Sequence, residues 1–201
     1  MPVVAITGHI ASGKSTVLKI LKAKKTPVFD ADKIVHGLYQ NKTSRVYKAI
    51  VKKYPEVLTQ AKNISCIKLE RLISHDQRKL TALESIVHPE VIKTLKSWIK
   101  TVNKKNILAA AEVPLLFENH LDVLFDEVIV VRASMRCSIS RIQKEFGIDL
   151  TSARKKFLFA KKNRKKGYQV RFTINNNSTI TELKKRVYNI WSILLKELNR
   201  R

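Results

Sequence analysis

The first residues with an evident chemical use lie near the N-terminus, in the stretch AITGHIASGKSTVLKIL. Its two glycines, five positions apart and followed by Lys14 and Ser15, match the pattern G-x-x-x-x-G-K-[ST]. Such a loop directs successive backbone N–H groups at phosphate oxygens, while the lysine reaches the β- and γ-phosphates and the serine hydroxyl is offered to Mg²⁺. The residues predicted to hold the nucleotide are Gly8, His9, Ile10, Ala11, Ser12, Gly13, Lys14, Ser15 and Thr16.

The residues around this loop fit its chemistry. Residues 3–7 form a short apolar run, which predicts a buried strand. Residues 17–21 place apolar side chains at helical spacing, which predicts a helix. The loop therefore stands between a strand and a helix, where the helix N-terminus adds its partial positive charge to a phosphate site.

Carboxylates follow two further apolar runs. Asp30 and Asp32 come directly after residues 27–29, and Glu112 ends the run over 107–112. In open α/β sheets, ligands bind beyond the carboxyl ends of the strands. Glu112 is accordingly a candidate to hold Mg²⁺ together with Ser15, and Asp30 and Asp32 are candidates to contact a substrate.

Strand and helix patterns alternate along the chain. Further strands are predicted at 107–113, 127–131 and 170–174, and the intervening segments have helical periodicity. Pro89 is expected to begin a helix that runs to residue 98, and Ser134 and Thr179 are expected N-caps. These elements predict an α/β fold with a five-stranded parallel sheet between two helical layers.

The same patterns predict one domain over residues 1–201. Its core comprises about 1–32, 106–143 and 168–201, a helical insertion covers about 33–105, and a lysine- and arginine-rich lid covers about 144–167. We expect the insertion to hold a phosphoryl acceptor.

Charge raises a second class of function. The chain has 40 Lys and Arg against 16 Asp and Glu, a formal net charge of +24. Such a balance is typical of nucleic-acid-binding proteins, but the basic residues are scattered and accompany no zinc finger, RNP aromatic pattern or heptad array. We therefore expect no nucleic-acid partner, and a positive field that attracts small polyanionic substrates.

Location is predicted from other features. No 18-residue apolar span and no secretory pattern occurs, so we expect neither a membrane-spanning nor an exported protein. Cys66 and Cys137 are far apart without metal-ligand spacing, and we expect reduced thiols, within the core or half-buried, in a cytoplasm.

A phosphate loop alone implies only that a nucleoside triphosphate is bound. Guanine-reading motifs typical of GTPases are not evident, and ATPase motors are longer chains with a clear strand-terminal acid. A small chain with an acid after the second strand, a helical insertion and a basic stretch after the fourth strand suits a nucleotide or metabolite kinase.

At this point the sequence resembles the dephospho-coenzyme A kinase family over essentially its full length. The resemblance is carried by residues 8–16, Asp30-Ala31-Asp32, the stretch LESIVHP at 83–89, PLLFE at 114–118, Arg141 and the asparagine-rich exit of the fifth strand. It implies a P-loop kinase that transfers the γ-phosphoryl group of ATP to the ribose 3′-hydroxyl of dephospho-coenzyme A, with Mg²⁺ as cofactor.

The resemblance also implies roles for individual residues. Lys14, Asp32 and Arg141 would be catalytic, with Asp32 accepting the proton of the attacking hydroxyl and Arg141 neutralising phosphate charge. Asn176 would lie near the adenine of ATP. The acceptor would be contacted by Asp30, Asp32, His88, Pro114, Leu115 and Leu116. A monomer or small homo-oligomer is expected.

Several positions depart from the family pattern. His9 and Ala11 replace common glycines, which is tolerable where no positive φ is needed. His36 stands at a common arginine position. Before, in and after the lid, the residues Ser138, Glu145, Ala160 and Arg171 replace a glutamine, an arginine, a glutamine and an aspartate, respectively. A nucleoside monophosphate kinase, or a basic nucleic-acid-binding P-loop protein, remains an alternative.

Overall fold

The structure, a computed structural model, describes residues 3–74, 76–105, 107–114, 116–117, 119–162 and 170–198, with the backbone alone at 162 and 198. Its strands are β1 Val3–Thr7, β2 Val28–Asp30, β3 Ala109–Glu112, β4 Glu127–Arg132 and β5 Phe172–Asn175. Its helices are α1 Lys14–Ala23, α2 Ala31–Gln40, α3 Arg45–Lys53, α4 Cys66–Ile73, α5 Gln77–Lys104, α6 Met135–Phe146, α7 Leu150–Lys162 and α8 Ile180–Leu198.

The strands form one parallel sheet in the order β2-β3-β1-β4-β5. Every residue of β1 and β3 is buried, as expected for central strands covered on both faces. The predicted five-stranded parallel α/β fold is therefore confirmed. Because all strands run the same way, their carboxyl ends, and the loops that follow them, lie along one edge of the sheet.

Two compact units are distinguished in the chain. The first comprises Met1–Asp30 with Ile99–Arg201, and the second comprises Ala31–Trp98. In the first unit, apolar side chains of α1 and α8 pack against β1, β3, β4 and β5. This core includes Ile6, Val17, Leu21, Ile129, Ile174, Leu183, Trp191 and Leu194.

The second unit is helical and has a core of its own. Its buried side chains come from α2 to α5 and from the segment between α3 and α4, and they include Tyr39, Val46, Ile50, Val57, Leu69, Leu83 and Val87. Burial, together with the smaller effect of charge on the nearby Cys66, raises the pKa of Tyr39 to about 12. Tyr39 is thus a protonated core residue at neutral pH.

The expected helix start at Pro89 is wrong. Pro89 lies inside the single helix α5, which runs from Gln77 to Lys104. A proline within a helix removes the hydrogen bond to the carbonyl four residues earlier, here that of Ser85. Pro89 and Ser85 are both exposed, so water can bond to the released carbonyl, and the helix continues through the proline.

Two other expectations also need correction. Cys66 is exposed rather than in the core or half-buried, because it is the first residue of α4 on the surface of the second unit. The fifth strand begins at Phe172, two residues later than predicted, where Arg171 forms ion pairs with Glu127 and Glu197. These pairs connect the amino ends of β4 and β5 to the end of α8.

The predicted N-caps are confirmed. The Ser134 hydroxyl accepts from the Cys137 N–H at 3.2 Å, and the Thr179 hydroxyl accepts from the Glu182 N–H at 3.3 Å. Among the described residues, no helix combines the length and apolar character needed to cross a bilayer.

Candidate functional site

The loop between β1 and α1 turns through two glycines that the local geometry requires. Gly8 has φ +153° and Gly13 has φ +98°, conformations that side chains disfavour. A Cβ on Gly8 would overlap the carbonyl oxygen of Val131, and one on Gly13 would overlap the amide nitrogen of Asn176. Both glycines are therefore fixed by close approach of the loop to β4 and to the exit of β5.

Ala11 does adopt a positive φ, of 54°. The replacement of a family glycine here is thus not free of backbone strain, since the left-handed conformation costs an L-residue roughly 1–2 kcal/mol. Ile10 and Ala11 pack against an apolar cluster of α6 and α7 that includes Ile139, Ile142 and Phe157. This packing helps to offset the strain.

Lys14, Ser15 and Thr16 form the first turn of α1, which begins directly after Gly13. The Lys14 Nζ donates to the carbonyl oxygen of His9 at 3.3 Å, so the ammonium group lies back across the loop. Ser15 is exposed. The helix N-terminus, the ammonium group and a hydroxyl are thus brought to one place, which is a combination suited to phosphate.

Arg141, on α6, and Asn176, after β5, bind the backbone of the loop. The Arg141 guanidinium donates to the carbonyls of Ala11 (3.1 Å), Ser12 (3.2 Å) and Asn176 (2.8 Å). The buried side chain of Asn176 donates to the Ser12 carbonyl at 2.8 Å. These bonds direct carbonyls of residues 11 and 12 toward Arg141 and Asn176 and so help to set the loop conformation.

Glu112 and Asp30 are neighbours at the carboxyl edge of the sheet. They are partners in the register of β2 and β3, and Ile6 of β1 is the partner of Glu112 on its other side. Glu112 is 2% exposed and Asp30 is half-buried. Glu112 therefore ends the strand beside β1, which leads into the phosphate loop, and Asp30 ends the next strand outward. Asp32 is exposed in the first turn of α2 and belongs to the second unit.

The other predicted acceptor residues differ in position. His88 is half-buried in α5, within the second unit. Pro114 is half-buried just after β3, whereas Leu116 is fully buried and has the environment of a core residue. Leu115 lies outside the described residues, as do residues 163–169 of the expected lid.

Sequence reasoning missed contacts that connect the site to its surroundings. The His9 ring reaches the junction of β4 and α6 and touches Phe157 of α7. Asn177 accepts a hydrogen bond from the Ser134 N–H at 2.7 Å. The asparagine run at 175–177 was a signal for the second contact. No pattern indicated the first, because ring contacts across more than 100 residues leave no periodicity.

The chain matches known proteins over nearly its whole length. The family model for dephospho-CoA kinase (CoaE) matches residues 2–182. A dephospho-CoA kinase of Bartonella quintana is 32% identical over 202 residues, 98% of this chain and 100% of the relative. A crystal structure from Thermus thermophilus superposes with a TM-score of 0.73 at 25% identity, covering 97% of each chain.

A dephospho-CoA kinase from Campylobacter jejuni shares the fold, with a TM-score of 0.67 at 22% identity over 97% of this chain and 98% of that one. The family match, and the 32% identity to the Bartonella relative over its full length, agree with the loop, the strand order and the carboxylates described above. This chain therefore belongs to the dephospho-CoA kinase family.

Proposed function

We propose that this protein transfers the γ-phosphoryl group of ATP to the ribose 3′-hydroxyl of dephospho-coenzyme A, giving coenzyme A, the last step of its biosynthesis. The observation that carries the proposal is the phosphate loop of residues 8–16 within a chain that the dephospho-CoA kinase family model matches over residues 2–182. Phosphoryl transfer depends on positioning of the reactants and on positive charge more than on covalent catalysis. A phosphate loop that contains a lysine can supply both.

The loop is suited to bind a nucleoside triphosphate. At Gly8 and Gly13 the loop lies so close to neighbouring groups that side chains are excluded, and the loop leads directly into the N-terminus of α1. In the part of the chain that the structure describes, the buried hydroxyls of Thr7 and Ser12 have no hydrogen-bond partner. Buried polar groups of this kind are usually satisfied by an ordered ligand or water. Lys14 would bind the β- and γ-phosphates, and Asn176 would contribute near the adenine.

The donor set also fits Mg²⁺, which prefers carboxylate and hydroxyl oxygens. Ser15 would hold the ion, and Glu112, at the carboxyl end of β3, would hold it directly or through its hydration shell. When bound, Mg²⁺ neutralises charge on the phosphate oxygens. Glu112 is 2% exposed, so a cation bound there would interact with its carboxylate largely away from solvent.

We assign two roles toward the acceptor, proton acceptance and binding. Asp32 would accept the proton of the attacking hydroxyl, a role that suits an exposed carboxylate at the start of α2. Asp30, His88, Pro114 and Leu115 would bind the acceptor. Leu116, which is fully buried, would support them by packing and not by contact.

Arg141 would act on phosphate charge from α6. Its guanidinium already lies at the loop, where it donates to the carbonyls of Ala11 and Ser12. A guanidinium has five N–H donors, so its bonds to carbonyls leave other N–H donors available to bind phosphate. The basic residues of the proposed lid over about 144–167 would add positive charge.

We also propose the setting in which the enzyme works. It would act as a monomer or small homo-oligomer in the cytoplasm, on small molecules and not on nucleic acid. The two cysteines are free, which is in keeping with a reducing compartment.

The direct test is ADP release with ATP and Mg²⁺, measured with dephospho-coenzyme A, AMP, CMP, UMP and no acceptor. Turnover that depends on dephospho-coenzyme A and exceeds that of the other acceptors by orders of magnitude is the expected result. Preference for a nucleoside monophosphate would replace the proposal with a nucleotide kinase. Tight, steeply salt-dependent RNA binding without turnover would replace it with a nucleic-acid-binding function.

A further inference from the structure

The phosphate loop contains a side chain whose contacts its sequence pattern does not require. His9, directly after Gly8, is half-buried and projects away from the loop toward α6 and α7. A phosphate loop needs only backbone at this position, and glycine would serve. The contacts of the imidazole ring therefore call for a separate explanation.

Each end of the ring is anchored by backbone. Nδ1 lies 3.0 Å from the carbonyl oxygen of Ile10, an acceptor, so Nδ1 carries the proton of that bond. Nε2 lies 3.0 Å from the carbonyl oxygen of Ala133 and 3.3 Å from its N–H group. A neutral ring accepts from the Ala133 N–H, and a protonated ring donates to the carbonyl. The ring thus joins the loop to the residue after β4 in both protonation states.

A third contact reaches α7. The ring meets that of Phe157 edge-on, with centroids 5.6 Å apart and planes at 81°, the favourable T-shaped arrangement. Phe157 is 4% exposed and belongs to the cluster that also receives Ile10 and Ala11. Residues 9 to 11 of the loop therefore all pack on α6 and α7.

These contacts coincide with the strained part of the loop. Ala11 holds a φ of 54° without being glycine, and such strain persists only where the surroundings over-determine the backbone. Arg141 and Asn176 bind the loop from residue 11 onward, through the carbonyls of Ala11 and Ser12. His9 supplies the corresponding anchor on the side of residues 9 and 10.

We propose that His9 is a positioning residue that fixes the phosphate loop in its nucleotide-binding conformation by anchoring it to Ala133 and to Phe157 of α7. The inference rests on the proposed function, in that the loop is taken to bind ATP. It assigns His9 no contact with the reacting atoms. When the loop is already ordered before ATP binds, less of the binding free energy is used to order it. Loss of the anchor is therefore expected to weaken ATP binding and to leave acceptor binding unchanged.

The test measures the Kd of ATP directly, by calorimetry, together with the KM of each substrate. His9→Gly is expected to raise the Kd and KM of ATP about tenfold, the equivalent of one or two lost hydrogen bonds, with the KM of dephospho-coenzyme A within twofold of wild type. His9→Gln, which retains a donor and an acceptor, is expected to recover at least part of the loss. A merely structural histidine would lower the melting temperature without this split between the two substrates.

A second pair of variants keeps the test decisive if His9→Gly does not fold. Phe157→Leu keeps apolar volume but removes the aromatic ring that His9 contacts, and is expected to weaken ATP binding several-fold. Phe146→Leu is the matched control, because Phe146 lies on α6, is 38% exposed and faces Lys156. It should leave ATP affinity unchanged.

The proposal is overturned if folded His9→Gly and Phe157→Leu proteins both bind ATP within twofold of wild type, or if both substrates weaken equally. Failure of the proposed function would look different. The wild type would then bind ATP normally and show no turnover with dephospho-coenzyme A, whatever residue occupies position 9.

Discussion

Lys14 supplies the first prediction at the scale of single residues. Its ammonium group lies across the phosphate loop, 3.3 Å from the His9 carbonyl, where it can bind the phosphates as charge develops on them. Lys14→Ala is expected to lower kcat by roughly 100-fold or more and to leave the melting temperature almost unchanged. Lys19→Ala, an exposed lysine of the same helix, is the control. Near-normal kcat in Lys14→Ala would remove the loop from catalysis.

Asp32 gives a second prediction at this scale. Asp32→Asn preserves the shape of the side chain but removes its capacity to accept a proton at neutral pH. We expect kcat to fall by roughly 100-fold or more while the Kd of ATP stays within a factor of about two. Asp30→Asn, two residues earlier, should change the KM of the acceptor more than kcat. An equal loss of ATP affinity in Asp32→Asn would indicate a structural or metal-binding role.

The residues of the site show what a pattern can and cannot predict. The position of the loop between a strand and a helix, and of Asp30 and Glu112 at strand ends, could be predicted because motif spacing and apolar runs are local properties of the sequence. The roles of these residues and of Arg141 stay predictions. The contacts of Arg141 with the loop carbonyls were not predicted, since Arg141 comes 130 positions after Ala11 and 129 positions after Ser12. The positive φ of Ala11 was also missed, because alanine carries no signal for it.

At the scale of elements, the sheet followed from apolar runs and the caps followed from Ser134 and Thr179. The helix start predicted from Pro89 was wrong, because proline is enriched at helix starts on average but also occurs inside helices. Here exposure of the affected turn lets α5 continue through it. Local sequence cannot state whether a turn will be exposed, since tertiary packing decides that.

Two glycines outside the loop give a prediction for helices. Gly37 lies within α2 with open space around it, so Gly37→Ala should raise the free energy of unfolding by about 0.5–1 kcal/mol. Gly147 caps α6 at φ +62°, also in open space. Gly147→Ala should lower the free energy of unfolding by about 1 kcal/mol, because only the conformational cost differs. Urea denaturation measures the free energy of unfolding of both variants, and changes of the same sign in both would contradict these predictions.

At the scale of the whole molecule, the net charge of +24 predicts how the enzyme responds to salt. A positive field attracts ATP and other polyanions, and salt screens it. We expect kcat/KM for ATP to fall several-fold between ionic strengths of about 0.01 M and about 0.15 M at constant free Mg²⁺. Sucrose at equal osmolality is the control. Constant kcat/KM would show that the charge does not act on the substrate.

The identity of the product tests the central claim most directly. Wild-type protein is incubated with ATP, Mg²⁺ and dephospho-coenzyme A, and the product is analysed by mass spectrometry and ³¹P NMR. The account predicts the gain of one phosphoryl group as a new phosphomonoester on the ribose 3′-oxygen, absent with Lys14→Ala. A phosphoryl group at another position, or unchanged dephospho-coenzyme A with a folded, ATP-binding protein, would contradict it.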